Sequence, residues 1–230
     1  MEKIPSRGLF VTGTDTDVGK TYVSALIVAE LRAAGHRVGV YKPVASGCVA
    51  DGPELVSEDA VALWEAADRP LTLDAVCPQR FAAPIAPHLA AIAEGKTLDV
   101  DFASMALAAW TPHCDIVVVE GAGGLMSPID EEEYVADLAS DFGYPLVVVA
   151  KNVVGAINQT LQTLIAAGNF RDGLGVGAVV LNDVHASDDP ASNSNLEEVV
   201  TRVEGPLFSR LRHRGTELDD PIDWYELASH

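Results

Sequence analysis

The stretch Gly13-Thr14-Asp15-Thr16-Asp17-Val18-Gly19-Lys20-Thr21 decides the fold of this 230-residue chain. It follows an apolar segment, Gly8 to Val11, that reads as a strand, and it opens an apolar-periodic stretch ending at Gly35 that reads as a helix. A strand, a glycine-containing turn and a helix carrying Gly-Lys-Thr make a phosphate cradle. Backbone N–H groups and the helix N-terminus face the anion, Lys20 reaches the outer phosphates, and the Thr21 hydroxyl can ligate Mg2+. The usual spacing, G-x4-G-K-[ST], would put the first glycine at position 14, where this chain has Thr14 and carries the glycine one residue earlier.

Outward from that stretch, short β-branched runs alternate with longer helical ones. Strands are predicted over 8–12, 37–43, 115–120, 145–150 and 176–182. Helices are predicted over 20–34, 58–67, 102–110, 134–142, 156–167 and 195–203. Runs such as Asp115-Ile116-Val117-Val118-Val119-Glu120 carry no polar alternation, so they read as strands buried on both faces. The alternation predicts an α/β domain with a doubly wound, mainly parallel sheet of the P-loop NTPase type. Ligands of such sheets bind beyond the carboxyl ends of the strands. The segment 185–194 is polar and reads as a loop. We expect one domain over 1–230, with 205–230 an irregular acidic segment packed on it.

Composition narrows the function. The chain carries 34 acidic and 15 basic residues, a net charge of −19, a field that repels nucleic acid and anionic membranes. No apolar run approaches the roughly 18 residues that span a bilayer, and the first eight residues lack an apolar signal segment, so a cytoplasmic location is expected. Cys48, Cys77 and Cys114 form no CxxC pair and read as free thiols. The same acidity repels a triphosphate, so cations must be concentrated where it sits. Of five lysines, Lys20, Lys42 and Lys151 lie in the cradle or end apolar strand-like runs.

The predicted strand ends carry the chemistry. The second delivers Lys42 and Ser46. The third ends in Glu120 followed by Gly121-Ala122-Gly123-Gly124, an acidic residue where P-loop enzymes place a Mg2+-side carboxylate, then glycines that let backbone approach a ligand. Asp59, after Ser57-Glu58, fits a helix start and a second Mg2+ ligand equally well. Mg2+ needs only one or two carboxylates beside phosphate oxygens, so Thr21, Asp59 and Glu120 suffice.

Together, the phosphate stretch, Tyr41-Lys42-Pro43-Val44-Ala45-Ser46-Gly47, Ser57-Glu58-Asp59, Pro84 to His88, Val119 to Gly124 and Leu181-Asn182-Asp183 resemble, in order and spacing, the dethiobiotin synthetases. The resemblance covers residues 8–183, and the one-residue offset at Thr14 is that family's own. It implies an ATP-dependent ring closure in biotin synthesis. One amine of 7,8-diaminopelargonic acid takes up CO2 as a carbamate, the carbamate attacks the γ-phosphate of ATP, and the second amine displaces phosphate.

By the same resemblance, Asp17, Val18, Gly19, Lys20, Thr21 and Tyr22, with Gly121, Ala122 and Gly123, line the nucleotide, and Asn182 and Asp183 bond the adenine. Lys20, Lys42 and Thr14 act on the reacting groups, and Thr14, Lys42 and Ser46 orient the diamine. Gly155, Ala156 and Asn158 receive its carboxylate across the interface of a homodimer, and Pro84, Ala86, Pro87 and His88 form a substrate-side loop. The family's Gly-x-Ile-Pro-like turn beside the adenine is replaced here by residues 206–213, which lack that proline.

Two other classes fit less well. Partition ATPases share the fold but need a basic DNA surface or an amphipathic membrane tail, and the −19 charge and acidic C-terminus supply neither. Cobyrinate-type amidoligases carry a glutaminase domain for which 230 residues leave no room. A nucleotide-binding protein without catalysis would not need Lys20, Lys42 and Glu120 together.

Overall fold

The computed structural model describes residues 3–186 and 190–229. In chain order the strands are β1 (Gly8–Gly13), β2 (Val38–Tyr41), the short β3 (Val44–Ala45), β4 (Val49–Asp51), β5 (Glu54–Val56), β6 (Gln79–Arg80), then β7 (Ile116–Gly124), β8 (Leu146–Lys151), β9 (Val176–Asn182) and β10 (Leu207–Leu211). The helices are α1 (Lys20–Ala33), α2 (Glu58–Ala66), α3 (Leu73–Val76), α4 (Pro87–Ala93), α5 (Val100–Leu107), α6 (Val135–Phe142), α7 (Ala156–Asn169), α8 (Pro190–Val200) and α9 (Trp224–Leu227).

Six strands form one sheet in the order β10-β9-β8-β1-β7-β2, every pairing parallel. The apolar runs explain this: Leu9, Phe10 and Val11 of β1, Val117 to Val119 of β7 and Val147 to Val149 of β8 are fully buried. Parallel strands covered on both faces need such unbroken runs. The chain moves from β1 to β2 on one side, returns through β7, and continues to β8 on the other. Strand β1 therefore lies where the order reverses, and its carboxyl end carries the phosphate stretch.

Three regions differ from the sequence expectations. The C-terminal segment, expected to be irregular, supplies a sixth strand, β10, which pairs in register with β9 from Leu207 opposite Ala178 to Leu211 opposite Asn182. Its apolar pattern is broken by Arg210, which is only 7% exposed because Asp183 pairs with it inside the fold. The acidic stretch beyond packs back through the Trp224 indole, which donates to Glu30 at 2.6 Å, and through Tyr225, stacked on His36 at 3.8 Å. Secondly, the segment 185–194 is not wholly loop, since α8 starts at Pro190. Proline is tolerated in a helix's first turn, where its missing N–H has no intrahelical partner; residues 187–189 lie outside the described residues. Finally, two small sheets, β3 with β6 and the hairpin β4–β5, fill the region between β2 and α4.

Candidate active site at the carboxyl end of the sheet

Glycine at position 19 is forced. Its φ is +89°, and a Cβ there would lie 2.1 Å from the Asn182 amide nitrogen. That amide donates to Val18 O at 2.9 Å, so the end of β9 holds the cradle's turn from beneath. Asp17 is also left-handed, with φ +57°. The Lys20 ammonium curls back and donates to Asp15 O at 3.1 Å. Burial, then the neighbouring Lys42, lowers its pKa below the ordinary lysine range.

Beside it, four side chains from four segments converge. Lys42, directly after β2, places its ammonium 2.6 Å from Glu120 Oε1 at the end of β7 and 3.2 Å from Asp59 Oδ2 in the first turn of α2. The Thr21 hydroxyl lies 2.9 Å from Asp59 Oδ1 and 3.0 Å from Glu120 Oε1. Burial opposes the charge on Lys42, but Glu120 and Asp59 outweigh it and hold the ammonium above its ordinary range. Burial likewise pushes the Asp59 carboxyl up, and Lys42 and Thr21 more than reverse that. Helix α2 is capped by Ser57, whose hydroxyl accepts from Ala60 N at 3.2 Å. Asp59 is thus not the cap, which settles one of its two readings and frees its carboxylate for the site.

The donor set fits Mg2+. A hydroxyl and two carboxylates meet within hydrogen-bond distance, and Glu120 Oε2, fully buried, has no partner among the described residues. Among the described residues no group of three His, Cys, Asp or Glu converges. A site of two carboxylates and one hydroxyl, completed by phosphate oxygens, suits Mg2+ better than an all-protein cage.

A cavity of about 450 Å3 gathers the cradle from Gly19 to Tyr22 with Asp17, Lys42, Ser46, Asp59, Ala122 and Gly123. A larger cavity, about 890 Å3, lies elsewhere, lined by His88, Lys96, Asp99, Asp101 and the acidic run from Asp130 to Glu133. Size is a poor guide here, since those carboxylates repel phosphate, whereas the smaller cavity holds two lysines. His88 therefore faces the acidic cavity. Thr14 lines an adjoining cavity of about 480 Å3 with Gly124, Met126, Gln159 and Gln162, and its Oγ1 is buried without a partner. Gly155, at φ +97°, and Ala156 and Asn158 sit at the start of α7 and line neither of these two cavities.

Asp183 stands apart from the phosphate cavity. Its carboxylate takes the Arg210 guanidinium at 2.7 Å and the Asn152 amide at 2.7 Å. Asn152 in turn accepts from Asn195 at 2.9 Å and donates to Ser192 O at 2.8 Å. Arg210, Asn152 and Asn195 were not anticipated from sequence. The one available signal was a charged residue inside a short apolar run, Leu207 to Leu211.

Comparison with known proteins places the whole chain. A family model described as an AAA domain matches residues 7–211. The chain is 42% identical over 215 residues to the ATP-dependent dethiobiotin synthetase BioD of Rhodopirellula baltica, covering 88% of this chain and 83% of that one. It is 44% identical over 193 residues to the synthetase of the same name from Anaeromyxobacter dehalogenans strain 2CP-1, covering 84% of each. Among solved structures, a ParA family ATPase from Chlorobium tepidum superposes with a TM-score of 0.55 at 15% identity over 90% of this chain and 85% of that one. The signal recognition particle receptor FtsY of Elizabethkingia anophelis gives 0.54 at 14% identity over 98% of this chain and 65% of that one. Those two structures share the fold. Taken with a phosphate cradle offset at Thr14 and two lysines facing paired carboxylates, the similarity along nearly the whole chain means that it belongs to the ATP-dependent dethiobiotin synthetase family.

Proposed function

We propose that the chain closes the ureido ring of dethiobiotin from 7,8-diaminopelargonic acid, CO2 and ATP. The observation that carries this reading is the meeting of Lys20, Lys42, Thr21 and Asp59 in one cavity at the end of β1, with the buried Glu120 carboxylate against Lys42 and Thr21. A carbamate formed on one amine attacks the γ-phosphorus, expelling ADP and giving a carbamic–phosphoric anhydride. The second amine then attacks the carbamoyl carbon, the C–O bond to phosphate breaks, and the ring closes. Every species is anionic, so the protein's task is positioning and charge stabilisation.

In this reading the backbone from Asp17 to Tyr22 and from Gly121 to Gly123 wraps the triphosphate, with Lys20 on its β- and γ-phosphates. Lys42 faces the carbamate and the transferring phosphoryl group. Thr14, whose hydroxyl has no protein partner, and Ser46 orient the diamine. Thr21, Asp59 and Glu120 would hold Mg2+, which supplies charge neutralisation at the phosphates. Asn182 and Asp183 frame the base; since the Asp183 carboxylate is engaged by Arg210 and Asn152, its part is to fix the strand end beside Asn182. Gly155, Ala156 and Asn158 receive the diamine's carboxylate in a second copy of the chain. One domain, acting in the cytoplasm, completes the proposal.

The test is ADP release with Mg-ATP, bicarbonate and the diamine, each omitted in turn. Release that requires all of them is expected; release indifferent to the diamine would contradict the reading.

A further inference from the structure

We propose that Lys42 is also a stand-in cation: without nucleotide its ammonium fills the position formed by Thr21, Asp59 and Glu120, excluding a divalent ion until a triphosphate draws the lysine away. The inference rests on the reading of those three residues as the divalent-cation ligands.

Geometry gives the first argument. The ammonium lies 2.6 Å from Glu120 Oε1 and 3.2 Å from Asp59 Oδ2, and the Thr21 hydroxyl reaches the same two carboxylates. An ion bridging these groups at about 2.1 Å takes the position the ammonium holds. The two cannot be bound there together.

Charge gives the second. Lys20 and Lys42 carry two positive charges and Asp59 and Glu120 two negative ones, so the cluster is balanced as it stands. The Lys42 side chain is 4% exposed and that of Glu120 fully buried, so little water screens an imbalance between those two, although the Asp59 carboxylate is half exposed. A divalent ion arriving alone would raise the cluster to a net charge of +2 and would have to expel a buried lysine into a cavity with no added negative charge to receive it. A triphosphate changes both conditions, bringing negative charge and offering the lysine oxygens to contact.

The third argument is what Lys42 leaves undone. Among the described residues Glu120 Oε2 has no donor, so the ammonium balances the charge without completing the coordination. A resident structural ion pair would be expected to satisfy both oxygens. The backbone can stay still during the exchange, because Lys42 N–H donates to Val76 O at 2.8 Å and the four-carbon stem supplies the swing. The cavity that Lys42 shares with Lys20 and Ser46 gives it room.

The experiment is a titration of Mn2+ by electron paramagnetic resonance on the full chain, with and without a non-hydrolysable ATP analogue. Wild type is expected to bind Mn2+ only when the analogue is present. Lys42→Gln is expected to bind Mn2+ without nucleotide at least tenfold more tightly than wild type, and Mn2+ alone should raise the melting temperature of that variant and not of wild type. Wild type binding Mn2+ equally well with and without the analogue would overturn the proposal, and that arm needs no variant to fold. Lys42→Gln folding normally yet showing no gain would overturn it as well. The ligand reading fails separately, if Glu120→Gln and Asp59→Asn leave analogue-supported Mn2+ binding unchanged.

Discussion

The two ends of the nucleotide-facing edge are built on opposite principles. At the phosphate end, Lys20 turns back on its own loop, Lys42 fills a gap between carboxylates, and Thr14 Oγ1 and Glu120 Oε2 are buried without partners. At the β9–β10 end, Asp183, Arg210, Asn152 and Asn195 form a closed network in which each side chain finds a partner inside the fold. Buried polar groups are normally satisfied, and at this end the two orphans lie where, in the proposed reading, the substrates and Mg2+ bind. The first end is left open for chemistry. The second is a strut that holds Asn182 beneath the cradle's turn.

Substitutions at the two ends should therefore fail differently. Arg210→Ala leaves the Asp183 carboxylate enclosed without its cation, and unfolding in urea should show a loss of about 3–5 kcal/mol that Mg2+ does not restore. Lys42→Ala should lower kcat by about 10²–10³-fold while Mg-ATP still binds. Its loss of stability should be recovered by Mg2+, which Arg210→Ala cannot share, and unchanged kcat would remove Lys42 from the mechanism. Gly19→Ala, at a left-handed φ and against the Asn182 amide, touches both ends; about 1–3 kcal/mol of stability and a weakened ATP affinity should be lost together.

A smaller effect sits away from both. Burial lifts the Glu30 carboxyl above 4.5, partly offset by the Trp224 hydrogen bond, with Glu217 adding to the rise. The folded state thus holds that proton more tightly than the unfolded chain. Its contribution is complete below pH 4.5 and is lost as the pH rises through the folded value. Glu30→Gln should flatten the fall of melting temperature as the pH rises above 4.5, and an unaltered slope would refute the assignment.

The difference between the two ends also governs what could be read from sequence. The cradle, Lys42, Asp59 and Glu120 were legible because each sits at a strand or helix end fixed by an uninterrupted apolar run. Phosphate chemistry also permits few residue types there. The sixth strand was not legible, because Ser209 and Arg210 interrupt it and only the tertiary partner Asp183 explains an arginine buried in a sheet. Nor was the start of α8, where Pro190 looks like a breaker in isolation and is a first-turn residue in context. Asn152 and Asn195 gave no signal, since an amide pair 43 residues apart has no local pattern.

The most direct test of the account follows a labelled carbon. Purified protein is supplied with Mg-ATP, 13C-bicarbonate and 7,8-diaminopelargonic acid, and the product is read by mass spectrometry alongside ADP. The account predicts the label in a ring-closed product, one ADP for each ring, and neither without the diamine. ADP released while the label stays in bicarbonate would contradict it.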